Sequence, residues 1–115
     1  MFLVCGDTLF DFFLDGENGP GEARFDARAG GSPFNVAIGL ARLGEDVGLL
    51  TGLSTDLMGS RLAAVLRNEG VRPDYLIPTD RKTTLSLVGL DASGSAAYAF
   101  YHSSDTGVTI ADLPV

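Results

Sequence analysis

Tryptophan is absent from these 115 residues, and cysteine, histidine and lysine occur once each, as Cys5, His102 and Lys82. A single cysteine excludes an intrachain disulfide and fits a reducing compartment, so a cytoplasmic location is expected. One histidine and one cysteine leave no ligand spacing for an ordinary zinc site, and no metal-binding residue is assigned. Basic residues are scarce, 8 against 15 acidic, for a formal charge of −7. A protein that grips a nucleic-acid backbone needs a lysine and arginine surplus to displace counterions, so nucleic acid is excluded as a partner. No apolar run approaches the ~20 residues of a membrane span. The opening residues, Met1 to Asp7, reach an acid without passing a positive stretch, so neither a membrane partner nor a secretory leader is expected. The phosphate-cradling loop G-x-x-x-x-G-K-[ST] is missing, as is the dinucleotide fingerprint G-x-G-x-x-G.

What is present is ordinary globular composition, 45% hydrophobic and 20% charged, enough for one small domain. The apolar run Phe2–Cys5 reads as a buried strand of a parallel sheet, which makes Cys5 a small core residue. Leu9–Leu14 reads as a strand with Phe10, Phe12 and Leu14 on one face and Leu9, Asp11 and Phe13 on the other. A turn-rich stretch over Asp15–Glu22 leads to a half-exposed strand over Ala23–Ala29. Gly30-Gly31-Ser32-Pro33 then announces a helix, with Ser32 as N-cap and Pro33 in the first position. Val36, Leu40 and Leu43 recur at helical spacing, and Gly44 stops the helix. Val47–Leu50 reads as a buried strand. Asp56 caps a second helix with Leu57, Leu62, Val65 and Leu66 as its stripe, ended by Gly70. Tyr75–Ile77 reads as a short strand closed by Pro78. Thr83–Leu90 and Ala96–His102 form a hairpin around Asp91-Ala92-Ser93-Gly94-Ser95. Nothing in Ser103–Val115 is expected to cap or close a fold. The order implies a parallel layer with crossover helices and a separate small antiparallel sheet.

Few residues are candidates for chemistry. Asp11 lies among Leu9, Phe10, Phe12 and Phe13, and a carboxylate there is costly to bury without donors. Sugar hydroxyls are suitable donors; backbone amides or water would serve as well. Gly30 and Gly31 permit close backbone approach to a ligand beside the N–H groups of a helix start, or simply form a tight turn. Asn35, in the first turn of that helix, can both donate and accept, which suits a polyol or a second cap. His102 stands alone, without a nucleophile motif. Tyr98, Phe100 and Tyr101 could cover a ligand, but strand aromatics more commonly serve a core.

Taken together, the residues resemble a ribokinase/PfkB-family carbohydrate kinase. The likeness runs through Gly6-Asp7-Thr8-Leu9-Phe10-Asp11 and through the stretch from Gly30-Gly31-Ser32-Pro33-Phe34-Asn35 to Leu43-Gly44. It continues in Gly52-Leu53-Ser54-Thr55-Asp56-Leu57-Met58-Gly59, in Glu69-Gly70-Val71, and in Thr83–Val88 with the hairpin that follows. Ser32 stands where ribokinases carry lysine, which makes the helix start similar to fructokinase-like members.

The resemblance implies the N-terminal part of a ribokinase-like three-layer α/β fold with a small β-sheet lid. Residues 1–115 would then belong to one kinase domain, with lid strands over about residues 9–29 and 83–102. It implies transfer of the γ-phosphoryl group of ATP to a sugar hydroxyl with Mg²⁺. Asp11, Gly30, Gly31 and Asn35 would hold sugar hydroxyls, and Thr84 and Phe100 would face the sugar from the lid. The family's Gly-Ala-Gly-Asp-like motif, which carries the anion hole and the general base, has no counterpart here. No catalytic residue is therefore assigned within the chain, ATP and Mg²⁺ are expected to bind elsewhere, and the chain is expected to be inactive alone, as a fragment. The competing reading is a non-catalytic sugar-binding or dimerising module, with the lid strands as the homodimer contact.

Overall fold

The computed structural model describes residues 1–104 and 107–114. Strands β1 (Phe2–Cys5), β4 (Val47–Ser54) and β5 (Leu76–Thr79) form a parallel sheet in the order β1-β4-β5. Strands β2 (Leu9–Glu17), β3 (Ala23–Gly30), β6 (Leu85–Leu90) and β7 (Ala96–Tyr101) form a second sheet in the order β3-β2-β6-β7. Helix α1 (Ser32–Arg42) links β3 to β4, and α2 (Leu57–Asn68) links β4 towards β5. The second sheet is mixed, since β2 runs parallel to β6. The purely antiparallel expectation fails because β2 and β6 are not joined by a hairpin; between them the chain passes through the whole parallel layer.

The central strand β4 is buried along almost its full length, as a parallel strand between two neighbours should be. Its Val47 and Leu49 pack with Phe34 and Ala37 of α1, Leu62 and Leu66 of α2, and Val71. β4 extends past Leu50 to Ser54, because Thr51–Ser54 pair with Leu76–Thr79. Pro78 is tolerated within β5 because β5 is an edge strand. β1 is the opposite edge, and there Cys5 is exposed rather than part of the core.

Both helices depart from their expected faces. Gly31, not Ser32, is the N-cap of α1; its φ of 105° turns the chain, and its carbonyl accepts the Asn35 N–H at 2.9 Å. Ser32 becomes the first helical residue and makes no side-chain cap. The α1 face against β4 is Phe34, Ala37 and Ala41, whose small alanines let the helix sit close to the sheet. Leu43 is left 79% exposed and Val36 turns to solvent. On α2, Leu62 and Leu66 are buried, but Leu57 is 75% exposed. Both helices stop as expected. Gly44 N–H reaches Ala41 O and Glu45 N–H reaches Leu40 O, and Gly70 and Val71 repeat the pattern on Arg67 and Leu66.

Described residues of the last segment make contacts that the sequence does not announce. Ser104 is buried, its N–H donates to Lys82 O at 2.8 Å, and its Oγ accepts the Thr84 N–H at 3.1 Å. Thr109 and Asp112 form a reciprocal capping box on a 3₁₀ turn over Ile110–Asp112. No helix among the described residues is long and apolar enough to cross a membrane.

Candidate functional site

The second sheet meets α1 where the Gly30-Gly31 pair passes Asp7 and Asp11. A Cβ on Gly30 would lie 2.7 Å from Asp11 Oδ2, and one on Gly31 would lie 2.8 Å from the Asp7 carbonyl oxygen. The Gly31 contact is with backbone and leaves no room for a side chain, whereas the Gly30 contact is with the movable end of Asp11, so Gly31 is what lets the helix start pass this close to Asp7. Gly31 also needs its positive φ.

This junction bounds an open cleft of about 670 Å³ lined by Asp7, Leu9, Asp11, Gly31, Ser32, Pro33, Asn35, Val36 and Phe100. Acceptors and donors come from Asp7, Asp11, Ser32 and Asn35. Apolar surface comes from Leu9, Pro33, Val36 and Phe100. The first turn of α1 adds backbone N–H groups that a helix leaves without an intrahelical acceptor. This mixture suits a small polyol, which carries hydroxyls on its edges and C–H groups on its faces.

Cross-strand register assembles the Asp11 side of the cleft. Arg28, Asp11, Ser86 and Phe100 stand directly opposite one another across the four strands. Directly paired residues share a face, so one row carries a cation, a carboxylate, a hydroxyl and an aromatic ring. Ser86 is buried and donates its hydroxyl hydrogen to Asp11 Oδ1. An ionised carboxylate has about four acceptor positions, and Ser86 takes one of them. Arg28 turns away, giving both Nε and Nη2 to Asp26 Oδ2 at 3.0 and 2.9 Å. Among the described residues no lysine or arginine lines the cleft.

Four of the six expected site residues, Asp11, Gly31, Asn35 and Phe100, line this cleft. Gly30 lies buried behind Asp11 rather than on the surface. Thr84 is fully buried, and its Oγ1 accepts the Ser103 N–H at 3.2 Å. Three polar participants lie outside the expected six, Ser86, Asp7 and Ser32. Ser86 was detectable only through the pairing of β6 with β2, which no local pattern encodes. Asp7 directly follows Gly6 in the quoted motif, and that position alone could have raised it. Phe100 sits in a stacked ladder with Tyr98 and His102, at ring separations of 6.4 and 5.7 Å.

A parallel α/β layer thus carries a side sheet, with a cleft of mixed polar and apolar lining at their junction. The chain belongs to the pfkB family of carbohydrate kinases, whose model matches residues 1–107. Among similar proteins, a fructokinase of Rhizobium leguminosarum bv. trifolii is 40% identical over 116 residues, spanning 99% of this chain and 35% of that protein. A crystal structure of a Xylella fastidiosa fructokinase with bound ATP has a TM-score of 0.79 at 33% identity, covering 88% of this chain and 32% of that one. A PfkB protein from Polaromonas sp. JS666 has a TM-score of 0.82 at 27% identity, covering 97% and 39%. The fold is thus ribokinase-like, and the chain spans about a third of the length of the relatives it matches.

Proposed function

We propose that this chain supplies the sugar-binding side of an ATP-dependent kinase that phosphorylates a hydroxyl of a neutral sugar of the fructose class. The observation that carries the reading is the cleft where Asp11, Asn35 and the start of α1 converge. Asp11 accepts hydrogen bonds from sugar hydroxyls while Ser86 holds its carboxylate. Asn35 both donates and accepts, Gly31 lets the sugar approach backbone, and Phe100 covers a C–H face. Gly30 and Thr84 support this arrangement from behind. The second sheet acts as the lid of a single kinase domain, and excluding water protects the phosphoryl group from hydrolysis.

Neutrality follows from charge. Among the described residues the ionisable side chains on the cleft are Asp7 and Asp11, and the guanidinium of Arg28 is turned to Asp26. A sugar acid or sugar phosphate would meet carboxylates without a counter-charge.

The described residues contain no group of three or more His, Cys, Asp or Glu side chains able to hold a metal ion. The sequence carries neither a phosphate-cradling loop nor Gly-x-Gly-Asp. In this reading ATP and Mg²⁺ bind through residues outside this chain, which alone does not transfer phosphate. A cytoplasmic location agrees with an ATP-dependent enzyme.

The test is phosphorylation of D-fructose and a panel of neutral hexoses and pentoses by the protein expressed from its complete coding sequence. Phosphorylation of at least one neutral sugar, strongly reduced by Asp11→Ala, is expected. Transfer to no neutral sugar overturns the reading.

A second reading, assembly through the lid, is favoured by one observation. The far part of the second sheet presents Leu14, Phe25, Leu87 and Ala99 around an apolar hollow. A homodimer across this face would bury it. Sedimentation of the wild type and of Phe25→Glu decides: a dimer that the variant dissociates is expected, and a wild-type monomer ends this reading.

A further inference from the structure

The sugar site depends on Ser86 standing opposite Asp11. Side chains alternate along a strand, so a slip of one residue in β6 would present Leu85 or Leu87 to Asp11 instead. Something must therefore set where β6 begins. The chain approaches it from β5 through residues 80–84, which form no strand.

Thr83 is the tether. Its backbone N–H donates to Asp56 Oδ2 at 2.9 Å, and its hydroxyl donates to Asp56 Oδ1 at 2.5 Å. The same carboxylate caps α2 by accepting the Gly59 N–H at 2.8 Å. Asp56 is itself held by donation of its N–H to Ser54 Oγ at 3.1 Å, at the end of β4. A helix cap requires one acceptor, and a serine provides it. Asp56 does more, joining the end of β4, the start of α2 and the approach to β6 at one group. From Thr83 the path is short. Thr84 O accepts the Phe10 N–H at 3.2 Å, and two residues later Ser86 reaches Asp11. Asp56 does not line the cleft.

We infer that Asp56 is a positioning residue for the sugar site, acting through Thr83 to hold β6 in the register that places Ser86 against Asp11. The inference rests on the reading of Asp11 as a sugar ligand. It makes the junction between the parallel layer and the lid sheet a determinant of sugar affinity, at a distance from the sugar.

The experiment uses the protein from its complete coding sequence, with D-fructose and ATP. Asp56→Ser keeps a cap for α2 but cannot bridge to both Thr83 groups. Thr83→Val removes only the hydroxyl bond, and Thr83→Ser restores it. For Asp56→Ser and Thr83→Val, KM for D-fructose is expected to rise by about fivefold or more, with KM for ATP unchanged. Thr83→Ser is expected to match the wild type. A fructose KM within about twofold of wild type in both variants overturns the inference, and so does an equal rise in both KM values, which marks general loosening. Where Asp56→Ser does not fold, Thr83→Val carries the decision. Asp11→Ala separates the two levels. If it raises the fructose KM while the junction variants do not, only the positioning role fails; if it leaves that KM unchanged, the sugar-site reading fails and takes the inference with it.

Discussion

The parallel layer and the second sheet are built from the same chain yet resemble different materials. In the layer, β4 is flanked on both sides and covered by two helices, so Val47, Leu49, Leu62 and Leu66 are almost wholly removed from water. In the strands of the second sheet, burial is confined to the root, at Leu9, Phe10, Gly30 and Ser86. Beyond it Leu14, Phe25, Tyr98 and Phe100 are exposed, and all of β7 is exposed. The radius of gyration, 15.6 Å, exceeds the ~13 Å expected of a compact domain of this length, as a projecting sheet requires. Stability therefore resides in the layer. The cleft lies where the projecting sheet is rooted, and its shape depends on how that root is held.

The largest effect that sharpens this contrast is in the core. Leu62→Ala, in a side chain 1% exposed, is expected to cost about 2–5 kcal/mol in urea unfolding. A loss below about 1 kcal/mol would break the assignment of stability to the layer. Next comes Asp11→Ala, expected to reduce kcat/KM for D-fructose about 100-fold, near 2.7 kcal/mol, with the unfolding midpoint little changed. A matching collapse of stability would make Asp11 a structural residue of the sheet.

The junction predicts a pH effect. Partial burial pushes the Asp56 carboxyl up, but donation from Thr83, Gly59 and Ser54 outweighs it and holds the pKa down, from 3.8 to about 2. The folded state thus favours the ionised form. Its contribution is complete above the unfolded value and is lost as pH falls through the folded one. Asp56→Asn is expected to be less stable than wild type near neutrality, with the gap closing as pH falls from 3.8 towards 2. Urea titrations at neutral and acid pH check this; a gap independent of pH contradicts it.

Two small effects complete the series. A Cβ on Gly39 of α1 meets nothing within 4 Å, so Gly39→Ala is expected to stabilise the chain by about 0.5–1 kcal/mol in urea unfolding. Leu57→Ala, at a side chain 75% exposed, is expected to stay within about 0.5 kcal/mol in the same assay. A larger cost would mean that this face of α2 is covered in solution.

Much of this molecule was readable locally. Asp56 as a cap, Gly44 and Gly70 as helix stops, and the hairpin turn at Asp91–Ser95 each depend on a few neighbouring residues and were legible from them. The cleft was legible in part, because Gly30, Gly31 and Asn35 stand together at one helix start. What could not be read was pairing across distance. α1 carries two apolar stripes, and only the approach of β4 shows that Phe34, Ala37 and Ala41 face inward. Ser32 looked like the cap, yet the turn at Gly31 moved the helix start by one residue.

The sequence by itself determined the element types, the helix stops and the family motifs, because φ preference, capping and hydrophobic period act within a few residues. Tertiary structure decided the parallel pairing of β2 with β6, and with it the meeting of Asp11 and Ser86. It also decided that Thr84 and Ser104 are buried together and that Cys5 is not in the core. Those outcomes depend on which strand lies beside which, and contacts between residues 75 positions apart leave no local trace in a chain.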